Sequence, residues 1–143
     1  MKKEIFILLP LLIISIPAVK SLFIPGGFTS HDLTHHVVRQ ISMDKLLSEG
    51  QFPPRWSADL NNGYGVPLFN YVYPLPNYFG SLFHAFGTSF IDAFKLNLLV
   101  ATVIGVLFFY LWTRLFLGNA AALTAAVFYA FAPYRFVDIY VRG

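Results

Sequence analysis

The sequence predicts an all-α integral membrane protein: three transmembrane helices plus one long external loop that carries membrane-parallel helices. Two observations lead there. Of 143 residues, 57% are hydrophobic and only 12% are charged, about half the charge of an ordinary soluble domain and more apolar surface than a domain this size can bury. The few charges also leave three apolar runs, at residues 5–19, 96–113 and 115–134. A charge at the bilayer centre is expensive, so each run is a candidate for the roughly 20 residues that a span needs. The same composition closes other routes. With no cysteine, disulfides, thiolate metal sites and cysteine nucleophiles are excluded. A net charge of +3 is too small and too dispersed for nucleic-acid binding.

The first run extends to residue 24 if Lys20 snorkels to an interface. Met1-Lys2-Lys3 precede it and no small-x-small cleavage site follows, so residues 1–24 read as an uncleaved signal anchor. Lys2 and Lys3 put the N-terminus in the cytoplasm, and Arg114 puts the turn between the second and third spans there too. The result is a multi-pass protein of the cell (plasma) membrane with residues 25–91 outside.

That external segment holds Arg39, Lys45 and Arg55 against Asp32, Asp44, Glu49 and Asp59. Thr29 or Ser30 can cap a helix that runs to about Glu49 and stops at Gly50. At 100° per residue, Leu33, Val37, Val38 and Ile41 fall on one side of it, and Asp32, His35, His36 and Arg39 on the other. The apolar side is expected to rest on membrane or on other helices. Residues 59–65, Asp59-Leu60-Asn61-Asn62-Gly63-Tyr64-Gly65, form a turn-rich loop whose Asn and Gly positions tolerate positive φ. It lacks the alternating acids and closing Glu of a calcium loop. From residue 60 to 91 there is no Asp, Glu, Lys or Arg, yet eight aromatics lie between Phe69 and Phe90, broken by Pro74 and Pro76. Such a segment suits the membrane interface. His84, set among those aromatics, reads as packed.

The second span occupies residues 92–117. The Gly118-Asn119 break starts the third, 118–134. Residues 135–143 then open a second external loop, where Arg135, Asp138 and Arg142 at i, i+3 and i+7 share one helical face. The chain breaks off directly after that span, so truncation of a longer protein is the expectation.

Chemistry concentrates at two places. The Asp32, His35, His36 and Arg39 cluster has three readings. It is a solvated polar face with a His35–Arg39 neighbour pair, or a divalent-metal site with Asp32, His35 and His36 as ligands, without any HExxH motif. The third is an anion and acid–base site, with Arg39 and a histidine facing a lipid phosphate while Asp32 handles a proton. The Arg135, Asp138 and Arg142 group is either an interfacial ion pair or the second half of one external cavity.

Taken together, Ser30-His31-Asp32-Leu33-Thr34-His35-His36, Phe52-Pro53-Pro54-Arg55-Trp56, the 59–65 loop, Tyr73-Pro74-Leu75-Pro76 and Ala132-Pro133-Tyr134-Arg135 through Arg142 resemble the start of a bacterial polytopic membrane family. Its members carry a 6-pyruvoyl-tetrahydropterin-synthase-related label. The soluble synthase is a small cytosolic zinc enzyme that this chain does not look like, so the label implies no pterin chemistry. The layout is also similar to the N-terminal part of membrane glycosyltransferases of the GT-C fold, which take a sugar from a polyprenyl-phosphate donor at the outer membrane face. That resemblance implies that Asp32 and Asp138 are catalytic. It makes His35, His36, Arg39, Arg135 and Arg142 donor-phosphate contacts, and a divalent metal a possible cofactor held by Asp32, His35 and His36. Where many such enzymes have an Asp-Glu pair, this chain has His31-Asp32. The lipid bilayer and a polyprenyl-phosphate-linked sugar are the implied partners, and a fragment alone is expected to be inactive. The alternative is a non-enzymatic membrane scaffold or transport component.

Overall fold

A computed structural model describes residues 2–142, with side chains from Leu9 onward. Helices α1 (Lys2–Val19), α2 (Leu33–Ser48), α3 (Leu68–Tyr71), α4 (Leu75–Ala85), α5 (Phe90–Thr113), α6 (Asn119–Ala130) and α7 (Pro133–Phe136) follow in order. A 3₁₀ turn over Lys20–Phe23 extends α1, and a π-helical stretch over Val137–Arg142 extends α7. Among the described residues there is no strand, only an isolated bridge between Ser57 and Val66. The chain forms two compact units, one of Met1–Pro25 with Leu98–Gly143 and the other of Gly26–Asn97.

Two helical stretches are long and apolar enough to cross a membrane, Phe90–Thr113, which contributes to both units, and Asn119–Arg142 of the first, with 24 residues each. At 1.5 Å per residue the continuous helix Phe90–Thr113 is about 36 Å long, beyond the roughly 30 Å of a hydrocarbon core, while the second stretch is interrupted between Ala130 and Pro133. Only 28% and 17% of their apolar windows are buried, whereas the core helix of a soluble protein is mostly covered. Leu9–Phe23 is a shorter apolar helix, and the side chains that would complete the expected first run lie outside the described residues. The second stretch takes in Arg135, Asp138 and Arg142, which the charge pattern placed beyond the span. Pro133 explains the difference: at the first position of α7 it restarts a helix instead of ending one.

Ala122, Ala126 and Ala130 recur every four residues on α6 and are buried with Leu11, Val106 and Tyr110. Their small side chains let α6 approach α1 closely. Ser15, Thr113 and Thr124 donate to carbonyls of their own helices, Leu11, Phe109 and Ala120, at 2.8–3.0 Å. This self-satisfaction is what a helix needs where no water reaches it.

In the second unit, the N-cap residue of α2 is Asp32, not Thr29 or Ser30 as the sequence suggested; Ser30 Oγ accepts the Leu33 N–H at 3.2 Å from outside the helix. At the other end Gly50, at φ +80°, donates to the Leu47 carbonyl, and Gln51 donates to that of Leu46, which is the paired Schellman stop. The buried face of α2 is not the aliphatic one. Gln40 and Met43 are buried and His36 stacks on Phe94 at 5.1 Å, while Val38 and Ile41 stay exposed. His36, placed by the helical wheel on the polar side, is thus packed, while Leu33 and Val37 of the apolar side are half-buried. Gln40 fits against Gly80 of α4, where a Cβ would collide with the Gln40 side chain. The Gln40 amide also donates to the Phe90 carbonyl at 3.3 Å. Met43, Leu46 and Phe69 make the local core.

The loop after α2 is a built turn. Asn61, Asn62, Gly63 and Gly65 all have positive φ, and Gly65 lies under the Trp56 ring with no room for a side chain. Helix α5 begins at Phe90 because Ser89 caps it, its Oγ accepting the Asp92 N–H at 3.1 Å while its O–H donates to Asp92 Oδ2 at 2.7 Å.

Gly80→Ala is expected to destabilise the protein by about 1–3 kcal/mol through overpacking. Gln40→Ala in the same chain should cost less than the two single changes summed. Urea unfolding of the four chains in detergent checks this, and strict additivity would show that the contact does not couple.

Candidate functional site

Asp32 is the N-cap residue of α2, exposed, and makes no side-chain capping bond; its carbonyl accepts the His36 N–H at 2.9 Å. His35 is exposed, Arg39 is half-buried and His36 turns to the Phe94 ring. The two histidines therefore diverge around the helix. Among the described residues no group of three or more His, Asp and Glu could hold a metal ion. Asp32, His35 and His36 accordingly do not form a ligand set, and no metal chemistry is derived from them. His84 Nδ1 lies 2.7 Å from the Thr88 carbonyl, and its ring stacks on Phe90 at 3.9 Å.

In the other unit, Arg142 donates to Asp138 Oδ1 at 3.2 Å and to the Tyr134 hydroxyl at 3.0 Å. Arg135 does not join them. Its guanidinium lies over the Tyr129 ring, 4.4 Å from the centroid, and that ring stacks in turn on Phe109 at 4.4 Å. Arg135 Nε is buried and has no hydrogen-bond partner among the described residues. The ring contact is a cation–π interaction, and it leaves the Nε–H without an acceptor among the described residues. Ala18, Thr102 and Ile139 border it. Thr102 also forms part of the wall of an apolar groove of about 240 Å³ between α1 and α5, lined by Leu12, Ile16, Val19, Leu99 and Val106.

Sequence reasoning passed over Lys95. Its side chain is buried, and its ammonium donates to the Gly26 carbonyl and to Asp92 Oδ1, both at 3.0 Å. The available signal was the Ser89-x-x-Asp92 spacing, which places Lys95 one turn into a helix. At the far end of α2, Lys45 pairs with Asp59 and, at 3.7 Å, with Glu49. The hydrogen bond from Lys45 to Asp59 holds its ammonium above the usual lysine range.

Comparison with protein-family models, curated proteins and solved structures finds no match to this chain.

Because the Lys45 pKa is raised in the folded protein, the pair's contribution to stability is present below the ordinary lysine pKa and is lost as pH rises through the raised value. Asp59→Asn should bring the Lys45 titration down toward its ordinary position, read from the pH dependence of its side-chain NMR signal. A titration that does not move would exclude Asp59 as the cause.

Proposed function

We propose that this chain forms the front part of a membrane glycosyltransferase-like protein of GT-C-like fold, which takes its sugar from a polyprenyl-phosphate donor at the outer membrane face. In this reading α1 is the first of three spans, the N-terminus is cytoplasmic, and Gly26 through Ser89 lie outside. The observation that carries the reading is the Arg135 environment. A guanidinium whose Nε has no partner among the described residues and an apolar groove share Thr102 as a wall. That pairing suits an amphiphile with an anionic head and a hydrocarbon tail: phosphate on the guanidinium, where a charge-assisted bond is strong, and isoprenoid chain in the groove. Ionisable residues inside a membrane default to function for the same energetic reason.

Asp32 would orient or deprotonate the acceptor hydroxyl, and its exposed carboxylate with no capping bond leaves it available for that work. Asp138, held by Arg142, would assist. His35, His36, Arg39 and Arg142 would contribute contacts to the donor.

Two outcomes test this. In intact membranes, Asp32→Asn should lower lipid-linked sugar turnover by about 10²-fold or more, the scale of a lost acid–base group. Arg135→Gln should weaken donor use while leaving the amount of inserted protein unchanged. Unaltered turnover in both variants, with normal insertion, would favour the scaffold reading. For topology, a cysteine placed at the exposed Tyr64 should react with a membrane-impermeant thiol reagent in intact cells. Labelling only after lysis would reverse the assignment.

A further inference from the structure

Helix α4 is packed the wrong way round for water. It buries Asn77, Gly80 and Ser81 and leaves Leu75, Phe79, Leu82 and Phe86 exposed, the last two at 50% and 82%. Those four recur at i, i+4, i+7 and i+11, a continuous stripe along one side. On α2 the pattern repeats, with Val38 and Ile41 exposed while Gln40 is buried. A helix in water turns its apolar face inward.

We propose that the α4 stripe is a lipid-facing surface, with Leu75, Phe79, Leu82 and Phe86 seated among the acyl chains of one bilayer leaflet. Three observations favour lipid over a protein partner. Residues 60–91 contain no Asp, Glu, Lys or Arg, whereas a protein–protein patch is ringed by a polar rim. The Asn97 side chain donates to the Pro76 carbonyl at 2.8 Å, and no charge follows Asn97 until Arg114. The first turn of α4 is thus tied to the point where the apolar run of α5 begins. Tyr71 and Tyr73, both exposed, stand just ahead of that turn, as tyrosines do at headgroup depth. With 11 residues, α4 is about 16 Å long and cannot cross a bilayer, so it occupies a single leaflet. Lys45, Glu49 and Asp59, at the C-terminal end of α2 and in the following loop, remain with water. Because α2 packs on α4, α2 is held at the membrane surface.

The chain has no cysteine, so single thiols report cleanly. Leu82→Cys, Phe86→Cys and Phe79→Cys, each carrying a nitroxide, are compared with Glu49→Cys in the intact chain in phosphatidylcholine–phosphatidylglycerol nanodiscs. Collision with oxygen is expected to exceed collision with a neutral nickel chelate several-fold at 79, 82 and 86, and the ratio should invert at 49. Nickel access at 79, 82 and 86 equal to that at 49 would overturn the proposal by showing a water-exposed face. Low access to both reagents at all three would overturn it too, because a second copy or another polypeptide would then cover the stripe.

Discussion

A polar group surrounded by apolar groups must find its partner within the chain, and most of this structure follows from that constraint. The hydroxyls of Ser15, Thr113 and Thr124 return to their own helices. The amides of Gln40, Asn77 and Asn97 reach the backbone carbonyls of Phe90, Tyr73 and Pro76. Each unmade bond of this kind would cost about 1–3 kcal/mol, and more in hydrocarbon, where no water substitutes. Gln40 of α2 and Asn77 of α4 are therefore fasteners, while the buried Ser81 hydroxyl has no partner among the described residues.

Against that background the two C-terminal arginines divide. Arg142 meets a carboxylate and a phenol oxygen and is locally neutralised. Arg135 meets only an aromatic face, with its Nε buried and unpartnered among the described residues. Two cations seven residues apart thus have opposite electrostatic states. The difference comes from which way each side chain turns: Arg142 back along its own helix, Arg135 toward Tyr129 and Gly105.

What was legible in the sequence was whatever depends on local chemistry or on large apolar runs. The Gly50 stop, the positive-φ turn at 61–65 and two apolar helices could be read from residue type and spacing, whereas α2 starts two residues later than the Ser30 cap would place it. The start of α5 at Phe90 could not be read from charge, since Asp92 and Lys95 sit inside the helix and only the Ser89 cap announces it. On α2 the wheel separated apolar from polar residues but could not show that His36, on the polar side, stacks on Phe94 while Val38 and Ile41 stay exposed. Within the candidate site, sequence could list the charged residues but not their pairing. Spacing grouped Arg135, Asp138 and Arg142 on one face, whereas only Asp138 and Arg142 pair and Arg135 turns to the Tyr129 ring.

Helix α5 belongs to both units, contributing its first two turns to one and the remainder to the other. Those first turns are not a leash. Phe90 takes Gln40 and His84, Phe94 takes His36, Lys95 takes Gly26, and Asn97 takes Pro76. A fragment cut at Ser89 would strip α2, α4 and the Gly26 turn of these partners at one stroke, and its exposed apolar side chains would promote aggregation. Useful dissection of this molecule has to keep Phe90–Thr113 attached, which makes a detergent-solubilised or nanodisc-bound preparation the smallest workable sample of Gly26–Asn97.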